Sequence, residues 1–218
     1  MIAPSPYSPR KGFDTMSGFK AALHEQRWDD HRYYHHSIVN QALHFVSATT
    51  FLIAYVVVWI DPAVASLLGW LVAMTARQSG HFFFEPKTYD HVNQATHAHK
   101  EDIKVGYNLF RKWIFMGIWA ACPIPLLIDP TLFGLFEPHV GFVGFLRHLA
   151  LVWLALAVGG LVFRVIQLFV QRDVQTGIVW ATKIVTDPFN DFLLYRKAPV
   201  QLLKGVKIDT DLRDAARD

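Results

Sequence analysis

The chain has 218 residues, of which 52% are hydrophobic and 18% charged, and its formal net charge is +3 at pH 7. Because the apolar residues are gathered into long blocks rather than spread at the intervals of a soluble core, lipid is the expected solvent for much of the chain. The single cysteine, Cys122, lies inside an apolar block, which excludes a disulfide framework and a thiolate metal site. The mild charge gives no indication of a nucleic-acid partner.

The N-terminal part of the chain predicts a loose tail followed by a membrane helix. Residues 1–15 contain three prolines and no apolar run, so we expect a disordered tail that lacks the apolar core of a signal peptide. From Ala42 to Ile60 the sequence is apolar over about the ~20 residues needed to cross a bilayer. Asp61-Pro62 then predicts a tight turn and a new helix, because aspartate is a favoured N-cap and proline suits the first helical position.

Three further apolar segments predict the rest of a membrane domain. The second runs to Ala76 and is short for a lone span, so it needs the following SGHFFF residues or surrounding protein to complete the crossing. The third, from Trp113 to Ile128, contains two prolines near its end and should be distorted there. The fourth begins at Leu149 and continues to Val170. We therefore predict an all-α polytopic membrane protein with about four transmembrane helices within residues 16–171.

Residues 172–218 are predicted to form a cytoplasmic or interfacial C-terminal segment. Thr186-Asp187-Pro188 resembles a helix start, and apolar residues follow it, so an amphipathic helix lying on the membrane is expected. Of the 21 Lys and Arg residues, all but Arg147 and Arg164 fall in segments that four spans would place on one side. By the positive-inside rule both termini are predicted to be cytoplasmic, in a bacterial inner membrane or the endoplasmic reticulum.

Histidines are crowded beside the first two apolar segments. Eight of them occur between residues 31 and 99, at His31, His35, His36, His44, His81, His91, His97 and His99. Because neutral imidazole is well suited to hold iron, zinc or copper, this crowding at one membrane face predicts a bound transition metal. Adjacent His35 and His36 cannot both point inward from regular structure, and we expect His35, like His31 and His91, to have an ordinary surface role.

Spacing narrows the candidate ligands in the first cluster. His36, Asn40 and His44 are separated by four residues each, which places them along one face of a helix. His36 and His44 would then be about 12 Å apart at ~1.5 Å rise per residue, too far to share one ion comfortably. A helix that begins at Ser37 removes the conflict, because His36 would lie just outside it and could fold back over Asn40 and His44.

Two other histidines are each followed by a carboxylate at the fourth position. His81 and Glu85 lie at the cytoplasmic end of the second apolar segment, where the carboxylate can bind a metal or orient the histidine from outside the coordination sphere. His97 and Glu101 repeat the spacing in the polar loop, where His99 would point to a different side of a helix. This loop is expected to close over the pocket.

The two motifs resemble a known family, the membrane-embedded Fe(II)-dependent 2-hydroxy fatty acid dioxygenases of the pathway from phytosphingosine to odd-chain fatty acids. Its members carry His-x-x-x-Asn-x-x-x-His ahead of the first span and Gly-His-x-x-Phe-Glu at the end of a later one. The first motif is matched by His36, Asn40 and His44. The second is matched by Gly80, His81, Phe84 and Glu85. The resemblance covers residues 33–86, and the stretch after Glu85 departs from the family pattern.

This resemblance implies a function and a set of site residues. The matched histidines, His36, His44 and His81, would hold a ferrous ion that activates O2, with Asn40 and Glu85 as candidate catalytic residues. His97 and His99 are further candidate ligands. The substrate would be a long-chain 2-hydroxy fatty acid or related lipid, shortened by one carbon. The sequence gives no indication of the oligomeric state.

Other hypotheses stay open at this stage. A di-iron lipid hydroxylase or desaturase is suggested by His31-x-x-x-His35-His36 and His97-x-His99, although such enzymes usually show HxxHH pairs. Zinc could replace iron as the bound ion. A non-enzymatic haem carrier could use His44 and His81 as axial ligands, or the protein could be structural and hold no metal.

Overall fold

The computed structural model describes residues 15–85, 87–91, 93–107 and 109–209. Within these ranges the regular structure is helical, and the only β pairing consists of two isolated bridges, Ser37 with Ile208 and Asp90 with Ala95. The predicted all-α class is confirmed. The predicted disordered tail over residues 1–15 lies, apart from Thr15, outside the described residues.

Ten α-helices are assigned within the described ranges. In chain order they are α1 Thr15–Tyr34, α2 Ile38–Val57, α3 Pro62–Leu67, α4 Thr75–Ser79, α5 His97–Ile103, α6 Leu109–Ala121, α7 Pro123–Ile128, α8 Gly141–Gln171, α9 Val174–Tyr195 and α10 Ala198–Leu203. The π-helical segment Leu68–Met74 joins α3 to α4, and a second one, Gly80–Phe84, continues α4, with no break in right-handed helical backbone. Residues 62–84 therefore form one continuous helical run, which we call the 62–84 run.

Three segments of the described chain are long and apolar enough to cross a membrane: Ile38–Val57, Phe110–Ile128 and Gly141–Gln171. Many of their apolar side chains face outward, among them Ile114, Val162 and Phe163. Exposed apolar surface of this extent is typical of contact with a membrane. The structure is thus consistent with the predicted membrane protein, and the predicted second span corresponds to the 62–84 run.

Local sequence signals explain where the helices begin and break. The Asp61 side chain accepts hydrogen bonds from the backbone N–H groups of Ala63 and Val64 while Pro62 occupies the first helical position, as its sequence predicts. The predicted distortion of the third span is present as a break at Cys122, between α6 and α7. Proline lacks the N–H that would continue the helical ladder, which accounts for the break.

The C-terminal region differs from the sequence prediction. Its helix α9 begins at Val174, with the Asp173 side chain accepting from the N–H of Thr176, and not near Thr186. Pro188 therefore lies inside the helix and is buried. In addition, α9 packs against α2 and α8. These contacts place it against the membrane helices as part of the packed core, and this position brings its acidic residues to the site described below.

Candidate metal centre

Three buried histidines come together near the N-terminal end of α2. His35 follows α1, His44 lies on α2, and His81 lies in the π-helical segment of the 62–84 run. Their exposed fractions are 1%, 0% and 6%. One imidazole nitrogen from each lies within 4.8 Å of the other two, so the group could hold a metal ion.

The geometry of the three rings leaves one nitrogen of each available to a common centre. The Nε2 atoms of His35 and His44 are 3.1 Å apart. The ring centroids of His44 and His81 are 4.9 Å apart, and those of His35 and His81 are 5.5 Å apart. All three pairs are nearly perpendicular or steeply inclined, so the rings converge on one another without stacking.

Each Nδ1 atom of the three histidines has an oxygen neighbour outside the group. That of His35 is 2.8 Å from the backbone oxygen of Asp30, and that of His81 is 2.8 Å from Oε2 of Glu85. Nδ1 of His44 makes a longer contact of 3.5 Å to Oδ2 of Asp191. Metal-binding histidines usually direct their second nitrogen to such a carboxylate or carbonyl, which fixes the ring and leaves Nε2 for the ion.

The structure brings His35 rather than His36 into the group, and this corrects the sequence prediction. His35 still completes the last turn of α1, because its N–H donates to the backbone oxygen of His31. His36 is directed away: its Nε2 contacts the backbone oxygen of Arg32 and lies 3.7 Å from Oδ2 of Asp90. The connection between α1 and α2 thus selects the first of the two neighbouring imidazoles.

Asn40 lies beside the group but not in it. It is fully buried, and its Nδ2 donates to the backbone oxygen of Tyr34 at 2.8 Å. A Cβ atom added to Gly80 would lie 2.1 Å from Oδ1 of Asn40 and 3.5 Å from the His44 ring. Only a glycine allows the 62–84 run to approach α2 this closely, and that approach positions His81 against His44.

The other predicted ligands lie in a second cluster or at the surface. His97 joins Glu85 and Glu101 in a half-buried group whose ligand atoms are also within 4.8 Å of one another. Lys104 lies 3.8 Å from Glu85 and 3.5 Å from Glu101, so a cation already balances these carboxylates. His99 is exposed, and its backbone N–H caps α5 through Thr96. The structure therefore separates His97 and His99 from the three buried histidines.

Helix α9 supplies two side chains that sequence reasoning missed, Asp191 and Tyr195. The Tyr195 ring lies 5.5 Å from that of His35 and 5.9 Å from that of His44, measured between centroids, and its hydroxyl is 3.1 Å from Nδ1 of His31. Asp187, Asp191 and Tyr195 recur at every fourth position, which places them on one helical face. This polar stripe on an otherwise apolar helix is the sequence signal that could have identified Asp191 and Tyr195.

A buried ionic network fixes α9 against the helices that carry the histidines. Arg77 donates to Asp191 at 2.9 Å, and Lys183 lies 2.6 Å from Asp187 and 3.1 Å from Asp30. Burial alone would raise the pKa of Asp191, but its contact with His44 and the charge of Arg77 hold that pKa below its usual value. Asp191 is therefore an anionic neighbour of His44, at 3.5 Å from its Nδ1 atom.

Burial also shifts the pKa values of the neighbouring groups. It lowers the pKa of His35 well below the usual value, and the adjacent His44 lowers it further. Burial raises the pKa of Glu85 against the opposing charges of Lys104 and Lys112. Neutral imidazole is the form that binds metals, so the environment of His35 favours the metal-binding state.

No protein-family model matches the chain, and comparisons with curated proteins and with solved structures also return no match.

Removing the carboxylate that holds His81 should weaken metal binding without removing a ligand. We expect Glu85→Ala to lower affinity for Fe(II) or Zn(II) roughly 10–100-fold, because the His81 ring loses the acceptor that orients it. Competition titration against a chelator measures the change. Glu101→Ala is the matched control, since it removes a carboxylate of the neighbouring cluster that belongs to the pair with Lys104, and its affinity should equal that of the wild type. Equal loss in both variants would contradict a specific role for Glu85.

Proposed function

We propose that the chain is a membrane-embedded, mononuclear non-haem iron oxygenase that shortens long-chain 2-hydroxy fatty acids by one carbon. The observation that carries this proposal is the convergence of three buried imidazoles, His35, His44 and His81, each with its Nδ1 atom directed to an outer oxygen. His35 and His44 share one hydrogen-bond contact through their Nε2 atoms, 3.1 Å apart, whereas a bound ion would engage the inward nitrogens of all three buried rings together.

The donor set fits a single ion with open coordination positions. Three imidazole nitrogens suit iron, zinc and copper, and no described thiolate lies among them. Three protein ligands leave further positions for substrate and O2. When bound, ferrous iron would supply the activation of O2. Zinc fits the same nitrogens, and the choice of iron is supported by the resemblance of the His-x-x-x-Asn-x-x-x-His and Gly-His-x-x-Phe-Glu motifs to the ferrous dioxygenases.

The geometry favours one small ion over a di-iron centre or a haem. A second iron would have to use the cluster around Glu85, but Glu85 contacts the Nδ1 side of His81, so the width of the imidazole ring separates the two groups. A haem would need a flat slot between its axial ligands. The rings of His44 and His81 are only 4.9 Å apart, and His35 packs against both.

The proposal places the site where a fatty acid could present its head group from the bilayer. In this proposal the 62–84 run is the second of four spans and both termini are cytoplasmic, so that the histidines would lie at the cytoplasmic membrane surface. A small cavity beside the site is lined by His81, Lys104 and Lys112 among others. These lysines would attract the carboxylate of the substrate, while the buried apolar surroundings of the imidazoles would limit the access of bulk water.

The decisive experiment is conversion of a defined substrate by protein of measured iron content. Purified protein loaded with Fe(II) under anaerobic conditions should hold one iron per chain, and addition of O2 and 2-hydroxypalmitate should yield a C15 product. Palmitate, which lacks the 2-hydroxyl group, is the matched control and should remain unchanged. Iron-loaded protein that converts no 2-hydroxy acid of any chain length would refute the oxygenase, and protein that retains zinc but no iron would select a different metal chemistry.

A further inference from the structure

A larger cavity lies at the end of α8, apart from the three histidines. Its volume is about 430 Å³, which is within the ~300–1,000 Å³ typical of small-molecule sites. Four cationic side chains line it, and two acidic ones: Lys104, Arg111, Arg164 and Arg172, with Glu101 and Asp102. Lys104 lies 3.5 Å from Glu101, and positive charge still exceeds negative charge in the rest of the lining, which favours an anionic occupant.

Arg164 is the side chain that most needs such an occupant. It is only 3% exposed. Its guanidinium donates to the side-chain oxygen of Gln167 and to the backbone oxygen of Val105, and its Nε is buried without a hydrogen-bond partner. Among the described residues no carboxylate lies within ion-pair distance of it. A buried cation that lacks a counter-charge is costly, and a bound anion would remove that cost.

The position of the cavity indicates which kind of anion it binds. Arg164 lies in the last turns of the apolar helix α8, and Arg172 directly follows that helix. In a bilayer, the ends of spanning helices meet the phosphate groups of the membrane lipids. Several guanidinium groups around one cavity also match the multiple acceptor oxygens of a phosphate better than the two oxygens of a carboxylate.

We propose that this cavity binds a phosphate group, carried by the head group of an anionic lipid or by a free phosphate-bearing solute. None of the three histidines lines this cavity, although Lys104 and Glu101 border both it and the small cavity beside His81. Phosphate binding here would be a second function that does not depend on whether the metal centre is an oxygenase.

Calorimetric titration of the full-length protein in detergent tests the proposal with two probes, inorganic phosphate and dihexanoyl phosphatidic acid. Dihexanoylglycerol, which lacks the phosphate, is the control ligand and should not bind. Arg164→Gln and Arg172→Gln should each weaken binding roughly tenfold, as expected for the loss of a charged hydrogen-bond donor. Arg172 is exposed, so its replacement tests the site even where loss of the buried Arg164 impairs folding.

The matched control is Arg196→Gln, which makes the same charge change at an exposed position outside the cavity and should leave binding unchanged. Binding of phosphatidic acid alone, with this variant pattern, supports a lipid head group. Binding of inorganic phosphate with the same pattern supports a free solute. The proposal is overturned if neither probe binds, if the cavity variants bind as the wild type does, or if Arg196→Gln weakens binding as much as they do.

Discussion

His35→Ala is expected to abolish stoichiometric iron binding, whereas His36→Ala, one residue further along, is expected to leave it intact. The structure directs the first imidazole to within 3.1 Å of His44 and the second towards Arg32 and Asp90. Loss of an outer partner alone weakens metal binding roughly 10–100-fold, so loss of one of three ligands should exceed that range. Elemental analysis of iron per chain after anaerobic loading measures the difference.

The neighbouring pair makes this comparison well controlled, because both variants remove the same side chain from the same short connection. His44→Ala and His81→Ala should behave like His35→Ala, and all four variants should still insert into membranes, since none of these residues lies on an outward apolar face. Retention of one iron by His35→Ala, or loss of iron from His36→Ala alone, would show that the ligand set is assigned incorrectly.

Gly80→Ala is expected to destabilise the fold by about 1–3 kcal/mol, the range for overpacking a buried contact, and to impair metal binding at the same time. The added methyl group would lie 2.1 Å from Oδ1 of Asn40. Asn40 cannot easily yield, because it is fully buried and its Nδ2 is bonded to the backbone oxygen of Tyr34. The 62–84 run must then move away from α2 and carry His81 with it.

Thermal unfolding in detergent and iron content together measure this effect. Gly117→Ala is the matched control: Gly117 is an exposed glycine in α6, and an added Cβ there meets nothing within 4 Å. It should gain stability slightly, since alanine is favoured over glycine in a helix by up to about 1 kcal/mol. If Gly80→Ala has the same unfolding temperature and the same iron content as the wild type, the close approach of the two helices does not govern the site.

Sequence reasoning located the parts of the site that depend on local patterns. His44 and His81 could be identified because each belongs to a motif with four-residue spacing beside a membrane segment, His-x-x-x-Asn-x-x-x-His and His-x-x-x-Glu. The start of α3 was evident from Asp61-Pro62. The selection of His35 over His36 could not be predicted, because it depends on a short connection without periodicity. The same limit applies to α9, since Pro188 suggested a boundary and only packing against α2 and α8 keeps the helix continuous.

The contact between Asp191 and His44 sets an order of events during biosynthesis. The ribosome adds about 5–20 residues per second, so the three imidazoles leave it several seconds before α9 is complete. Until α9 docks, His44 lacks its carboxylate and Arg77 lacks both of its acidic partners. The histidine cluster therefore acquires its outer contacts from α9 only after the last long helix is made, so the proposed metal centre would be complete only when the polypeptide is almost fully translated.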